Sequence, residues 1–170
     1  MTINSLQELF ETSLKYAYDC EQKLVKKGLP SMIEASSSAE LRSAFEQHLE
    51  ETRNHVSRLE RVFSLIGIEA KKESNDIIDE FTDAAEDMVS ATDEGTTLRD
   101  AALIKGGNEV EHYEMAIYGS LVAFAQQLGQ REAAGLLEQT LNEEKAADAK
   151  LTAIGERSVN PRAAQELRAA

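Results

Sequence analysis

The sequence predicts an all-α protein, a four-helix bundle with one long crossover that carries an extra short helix. Only two prolines interrupt 170 residues, and Ala, Leu, Glu and Gln, which favour helices, are abundant. Apolar residues recur every three or four positions, as they do on the buried side of a helix. No stretch shows the alternating pattern of a half-buried strand.

The first helix is predicted to begin after Ser5, because Ser5 and Glu8 have the S-x-x-E spacing of a capping box. Gly28 and Pro30 then predict a stop or a kink, with a further turn or two in SMIEA. The apolar residues of the first helix are Leu6, Leu9, Phe10, Leu14, Ala17, Leu24 and Val25.

The second helix is predicted to begin near Ser37, which precedes Glu40, and to end at Gly67. Its inner stripe consists of Leu41, Phe45, Leu49, Thr52, Val56, Leu59, Phe63 and Ile66. A polar segment, EAKKESND, follows. A shorter amphipathic helix comes next, before TDEGTT, and its apolar residues are Ile77, Ile78, Phe81, Ala85 and Met88.

The third helix is predicted from near Thr97 to Gly129, and the fourth from about Arg131 to Ile154. Short joints link the first helix to the second and the third to the fourth, whereas about thirty residues separate the second from the third. This is the connectivity of ferritin-like folds.

We expect one ferritin-like domain over residues 1–170, with its core at about 4–157 and a C-terminal tail at 158–170.

Charge and composition exclude several classes of function. A net charge of −13 disfavours nucleic acid as a partner. The single cysteine, Cys20, excludes an intrachain disulfide framework and a rubredoxin-type iron site. The longest nearly apolar run, 115–125, is too short to span a membrane, and the N-terminus lacks the basic region of a signal peptide. A cytoplasmic protein that does not bind membranes is expected.

Each predicted bundle helix carries acidic residues near its middle, on or beside the apolar stripe. The candidate metal ligands are Glu21, Glu51, His55, Glu111, Glu114, Glu144 and Asp148. Buried carboxylates without compensation are very costly, and the inner stripes offer no basic residues at these levels. A pair of divalent cations would compensate them, with an imidazole as a further ligand.

Each of these residues also has an ordinary structural explanation. A glutamate in a helix rich in Ala and Leu is usually solvated, and His48 and His112 are predicted mainly as boundary or hydrogen-bonding residues. Cys20 is expected to be a small buried hydrophobe, and Tyr18 and Tyr113 to be core residues. The coincidence of acidic residues at four helix centres favours the metal hypothesis.

Four segments are distinctive: YDCEQKLVKKGLPSMIEAS, AFEQHLEETRNHVSRLERVFSLIG, EVEHYEMAIYGSL and LLEQTLNEEKAADAKLTAIGE. They resemble the YciE/YciF family of ferritin-like, stress-associated bacterial proteins, and the resemblance covers about residues 4–157. It implies a ferritin-like bundle, a homodimer and a rubrerythrin-like dinuclear metal centre.

The resemblance also implies roles for individual residues. Glu21 matches the ligand of the first helix, Glu111 with Glu114 resembles the E-x-x-E of rubrerythrin-type third helices, and Glu51 and Glu144 match bridging carboxylates.

Two departures from the ferritin-like pattern stand out. His55 follows Glu51 by four residues instead of three, and Asp148 replaces an expected histidine. The site is therefore richer in oxygen, and His48 is an alternative donor or an outer partner of a ligand.

The leading functional hypothesis is a protein with two iron ions, or manganese or another divalent metal, that reacts with hydrogen peroxide or dioxygen in a stress response. Any peroxidase or ferroxidase cycle would need an external reductant, since the chain has no CxxC motif. The alternative is a metal-stabilised structural or stress-interaction protein without significant turnover. A metal-free bundle with a protonated, hydrated centre is disfavoured, because it leaves too many carboxylates uncompensated.

Overall fold

The structure, a computed structural model, describes residues 2–166 and contains helices but no strand within that range. The helices, in chain order, are α1 (Leu6–Lys23), α2 (Leu29–Ala35), α3 (Ala39–Leu65), α4 (Asp76–Ser90), α5 (Thr97–Gln127), α6 (Arg131–Ile154) and α7 (Asn160–Glu166). Helices α1, α3, α5 and α6 form the bundle, and α4 lies in the long crossover. The predicted ferritin-like four-helix bundle with an extra crossover helix is confirmed.

Local capping sets the helix boundaries close to the predicted positions. Ser5 Oγ accepts a hydrogen bond from the backbone N–H of Glu8 at 3.1 Å, as the capping-box spacing predicts. Helix α3 is capped by Ser38, one residue later than predicted. Gly67 and Gly129, with φ of 74° and 73°, follow the ends of α3 and α5, because glycine tolerates this left-handed backbone conformation.

The helix does not stop at Gly28 and Pro30. A π-helical turn, Leu24–Gly28, joins α1 to α2, and the backbone N–H of Leu29 bonds to the carbonyl of Leu24. Pro30 then occupies the first turn of α2, where its missing N–H breaks no bond that the helix needs. Gly28 and Pro30 therefore mark a π-helical turn between two helices, not the end of a helix.

Part of the predicted C-terminal tail packs against the bundle. A second π-helical turn, Gly155–Val159, leads into α7, whose Ala163 is buried. The Glu166 carboxylate accepts hydrogen bonds from the backbone N–H groups of Thr97 and Leu98, which stabilises the start of α5. Residues 167–170 of the tail lie outside the described residues.

Two apolar clusters fill the bundle, one on each side of its middle. The first contains Phe10, Leu14, Leu59, Phe63, Leu121 and Leu137, and the second contains Leu24, Leu41, Phe45, Leu103, Leu151 and Ile154. Between them lies a layer of buried ionisable side chains, which we call the polar layer; it consists of Glu21, His48, His55, Glu111, Glu114 and Glu144. The polar layer is thus closed above and below by apolar packing.

Within residues 2–166, none of the helices combines the length and the hydropathy that a bilayer-spanning segment needs.

Candidate metal centre

The first part of the polar layer joins α1, α3 and α6. Ligand atoms of Glu21, His55 and Glu144 all lie within 4.8 Å of one another. His55 Nδ1 is 3.0 Å from Glu144 Oε1 and 3.5 Å from Glu21 Oε1. All three side chains are 0% exposed, so water does not screen them.

The second part joins α3, α5 and α6. It consists of His48, Glu111, Glu114 and Glu144, again with ligand atoms within 4.8 Å of one another. His48 Nε2 lies 3.1 Å from Glu111 Oε1 and 3.8 Å from Glu144 Oε2. Glu144 belongs to both groups and so connects the two parts of the polar layer.

The hydrogen bonding of these side chains fits a cation site. Buried atoms without a hydrogen-bond partner include Nδ1 of both histidines and one or both carboxylate oxygens of Glu21, Glu111, Glu114 and Glu144. Buried polar atoms are nearly always paired in folded proteins, because each unpaired group costs about 1–3 kcal/mol. Imidazole nitrogens and carboxylate oxygens are donors that divalent metals such as iron and manganese accept. The residues present therefore fit a metal site.

A salt bridge outside the polar layer orients His55. Its Nε2 lies 2.8 Å from Glu143 Oε2, and Arg58 binds both oxygens of Glu143 at 2.9 Å. Partial burial would raise the pKa of Glu143, but the hydrogen bonds from Arg58 and His55 lower it below its ordinary value. Glu143 is therefore ionised and accepts hydrogen bonds. Donation from Nε2–H to Glu143 leaves the lone pair of Nδ1 directed toward Glu21 and Glu144.

His48 has a comparable outer partner. Its Nδ1 lies 3.6 Å from Glu51 Oε2, while Glu51 Oε1 accepts a hydrogen bond from Gln47 Nε2 at 2.8 Å. Gln47 in turn accepts one from Lys150 Nζ at 2.7 Å. This chain of contacts holds Glu51 at the protein surface, behind the histidine.

The structure brings together five of the seven predicted ligands: Glu21, His55, Glu111, Glu114 and Glu144. Glu51 and Asp148 lie outside both groups and are half-buried. Asp148 Oδ1 is instead 3.2 Å from Nε2 of His112, which is exposed. Their roles as ligands stay predictions, and the side-chain positions give them no support.

The reason is the spacing of buried residues along α3 and α6. On α3 the buried line runs through 41, 45, 48, 52, 55, 59 and 62, and on α6 through 133, 137, 140, 144, 147, 151 and 154. Successive residues of each line are alternately four and three positions apart, as are the a and d positions of a coiled coil. This line includes His48 and excludes Glu51 and Asp148. In the sequence, a neighbouring line through Leu49, Val56 and Phe63 fits the apolar pattern as well, so the alternation offers His48 only as one of two possibilities.

Three further residues next to the site were not singled out from the sequence. Tyr118 is 1% exposed, and its hydroxyl donates a hydrogen bond to Glu21 Oε1. It lies four residues after Glu114, on the same face of α5, so helical spacing could have indicated it. Glu143 and its partner Arg58 meet across two helices, which no local pattern reveals. The hydroxyl groups of Tyr18 and Tyr113, by contrast, donate hydrogen bonds to Glu60 and Asn75, which do not belong to the polar layer.

Mutual interactions shift the pKa values in the polar layer strongly. Burial opposes protonation of the histidines, but Glu111 beside His48 raises its pKa to about 10, and Glu21 and Glu144 raise that of His55 to about 11. Burial raises the pKa of Glu144 to about 7, and burial together with Glu21 raises that of Glu114 well above its ordinary value. Without a cation the layer therefore holds protons, which metal binding would release.

Comparison with known proteins places the chain in a family. The family described as a domain of unknown function, DUF892, matches residues 5–164. Protein YciF of Escherichia coli strain K12 is 37% identical over 164 residues, which is 96% of this chain and 98% of the relative.

Solved structures show the same fold. The crystal structure of the E. coli stress protein YciF superposes with a TM-score of 0.87 at 36% identity, covering 93% of this chain and 99% of that one. YcfI from Rhodopseudomonas palustris, described as a candidate structural protein, gives 0.85 at 35% identity, covering 88% and 94%. A Xanthomonas campestris protein gives 0.73 at 23% identity, covering 96% and 99%, and supports the fold alone.

Proposed function

This chain belongs to the DUF892 family, as its resemblance to the YciE/YciF proteins predicted, and on this premise we propose that it binds two divalent metal ions, iron or manganese, and reacts with hydrogen peroxide or dioxygen. The observation that carries the proposal is the pair of buried ligand groups that share Glu144. A stress response fits the name of the E. coli relative, which is called a stress protein.

Six side chains would hold the metal ions. Glu21 and His55 would bind one ion, His48, Glu111 and Glu114 the other, and Glu144 both. Two nitrogen donors among four carboxylates suit iron and manganese. When bound, a pair of such ions would supply electrons to peroxide or dioxygen.

The surrounding residues prepare this site. Tyr118 holds Glu21 by a hydrogen bond and so fixes one carboxylate oxygen. The Arg58–Glu143 pair holds Nε2 of His55, which fixes the ring and its tautomer. Such partners of ligands typically change metal affinity 10- to 100-fold. The apolar clusters close the polar layer above and below.

A second candidate function has an observation of its own. The R. palustris relative is described as a candidate structural protein. In that case the metal ions would stabilise the bundle by neutralising the polar layer, without significant turnover. Metal binding alone does not separate the two functions, since both use the same ligands.

The experiment starts from purified protein stripped of metal and loaded anaerobically with Fe(II). Two ions per chain, followed by fast ferric absorbance on adding peroxide or air and by repeated turnover with an external reductant, would support the reaction. Two ions with a higher unfolding temperature but no repeated turnover would support the structural role. Absence of bound iron and manganese, with no effect of either on thermal unfolding, would contradict both.

The homodimer expected from the resemblance stays a prediction, and sedimentation velocity of the metal-free and metal-loaded protein measures it.

A further inference from the structure

An apolar cavity of about 210 Å³ reaches the polar layer from the side of the crossover. Side chains of α2, α3, α4 and α5 form its walls, among them Met32, Phe45, Ala85, Val89, Leu103 and Val110. At its inner end lie His48 and Glu111, both buried, and at its rim lie the exposed residues Ser31, Glu86 and Ser90. The cavity thus runs from the surface to two of the candidate ligands.

Small residues keep this space open. A Cβ at Gly107 would lie 3.5 Å from both Met32 Cε and Phe45 Cε1, and one at Gly106 would lie 3.1 Å from Ala85 Cβ. Any larger side chain at these two positions of α5 would therefore enter the cavity or its walls. Protein interiors are normally packed without voids of this size, so the cavity is a defined feature of the fold.

The crossover helix α4 supplies one wall and is fixed to the bundle by charged pairs. Lys23 Nζ lies 2.6 Å from Asp79 Oδ2, and Lys27 Nζ lies 2.8 Å from Glu86 Oε1 at the rim. A four-helix bundle can close its core without such a helix. The position of α4 therefore makes a pocket from what would otherwise be an open groove.

The inner end of the cavity is formed by two buried side chains, one of which has a hydrogen-bonding atom without a partner. His48 is 6% exposed and Glu111 is 3% exposed, and Glu111 Oε2 forms no hydrogen bond. Small-molecule sites typically combine apolar walls with a few polar groups that orient the ligand, and this cavity has both.

We propose that this cavity binds an uncharged, mostly apolar molecule about the size of two fused aromatic rings, with a hydroxyl group directed toward His48 and Glu111. The size follows from comparison with an engineered apolar cavity of about 150 Å³, which holds benzene. The charge follows from the surroundings: His48 is paired with Glu111 at the inner end, Lys27 is paired with Glu86 at the rim, and the net charge is −13. Among the described residues that line the cavity, no side chain offers an unpaired positive charge, so an anion such as a fatty acid would be disfavoured.

The hydroxyl end of the bound molecule would lie beside residues that are assigned above to a metal ion. To that extent, this inference deepens the proposed function and rests on it. Binding in the metal-free protein depends on the cavity alone. The two proposals therefore succeed or fail in separate measurements.

The test is titration of the full-length, metal-free protein with 2-naphthol, followed by fluorescence and calorimetry. We expect one molecule per chain with a dissociation constant on the order of 10–1000 μM. Naphthalene, which lacks the hydroxyl, should bind several-fold more weakly, and naphthalene-2-sulfonate, an anion of similar shape, at least tenfold more weakly. Ala85→Phe, which fills the cavity from α4, should weaken 2-naphthol binding at least tenfold.

The control is Ala84→Phe, which adds the same ring to the neighbouring, exposed residue of α4 and should leave binding unchanged. Val89→Phe fills the same wall and replaces Ala85→Phe if that variant does not fold. No saturable binding to the wild-type chain, binding that survives both filling variants, or equally tight binding of the sulfonate would overturn the proposal. Iron loading measured on the same samples reports on the metal proposal independently.

Discussion

His55 Nδ1 lies 3.0 Å from Glu144 Oε1, yet neither atom has a hydrogen-bond partner. The other nitrogen of His55 contacts Glu143, and the other oxygen of Glu144 lies 3.8 Å from His48 Nε2. Glu144 therefore stands between two imidazoles and belongs to both ligand groups. Changes at this one residue should affect the whole polar layer, and the sign of the effect should depend on metal.

Glu144→Gln should stabilise the metal-free protein and abolish stabilisation by metal. The pKa of Glu144 is raised from 4.5 to about 7, and an acid whose folded-state pKa is raised destabilises the fold at pH values above its unfolded pKa. At pH 8 the neutral amide should raise the free energy of unfolding by about 1–3 kcal/mol. Urea unfolding with and without Mn(II) measures both effects.

The matched control for this variant is Glu138→Gln, an exposed residue on the same helix. It should change stability by less than about 0.5 kcal/mol and keep the metal response. If Glu144→Gln retains the full stabilisation by Mn(II), Glu144 is not a shared ligand.

Tyr118→Phe should lower metal affinity about 10- to 100-fold while the chain keeps its fold. The variant removes the only hydrogen bond in the described structure that reaches the Glu21 carboxylate, so the carboxylate loses its fixed orientation. Competition with a chromophoric chelator measures the affinity. Tyr113→Phe, which removes a hydrogen bond to Asn75 outside the polar layer, serves as the control and should bind metal normally. Equal affinities for both variants would contradict this role of Tyr118.

Asp19 should contribute stability at neutral pH that disappears in acid. Burial would raise its pKa, but Lys23, the backbone N–H of Asn75 and Lys72 lower it below the ordinary value. A lowered folded-state pKa gives stability that is present above the unfolded pKa of about 4 and is lost as the pH falls through the folded one. Asp19→Asn should therefore cost about 1–3 kcal/mol at pH 7 and much less at pH 3.

Urea unfolding at several pH values between 7 and 3 checks this expectation. Asp83→Asn, at an exposed position of α4, should follow the wild-type curve. A difference between wild type and Asp19→Asn that stays constant down to pH 3 would assign the effect to packing instead of charge.

Two glycines in the same helix should respond in opposite directions to alanine. A Cβ at Gly119 meets nothing within 4 Å, so Gly119→Ala should raise the free energy of unfolding by up to about 1 kcal/mol. A Cβ at Gly107 would lie 2.8 Å from Leu151 Cδ1, so Gly107→Ala should lower it by about 1 kcal/mol. Guanidinium unfolding compares the two, and a gain in both would show that Leu151 moves aside freely.

The sequence determined the helices and the side of each helix that faces inward. Capping residues such as Ser5 and Thr96, and glycines such as Gly67, act within one helical turn and can be recognised locally. The apolar period likewise predicted that Glu21, Glu111, Glu114, Glu144 and His55 would point into the bundle, and all five are buried. Both results follow from interactions between residues close together in the chain.

The rotation of a helix about its own axis separated one predicted ligand from the observed groups. His48 and Glu51 are three residues apart, nearly one helical turn, and the sequence favoured Glu51 as the ligand. A rotation of α3 by a fraction of a turn decides which of them is buried. The packing of α3 against α6 sets that rotation, and it places His48 inside and Glu51 at the surface.

Only the tertiary structure decided which side chains share a site and what supports them. Tyr118 reaches Glu21 across 97 positions of the chain, and Arg58 reaches Glu143 across 85. The cavity beside His48 likewise exists because α4 packs over two glycines of α5. Periodicity gives the direction of a side chain from its own helix, but contacts between helices depend on how whole helices pack. The sequence by itself therefore determined a bundle with inward carboxylates, and tertiary packing brought them together in two buried clusters that share Glu144.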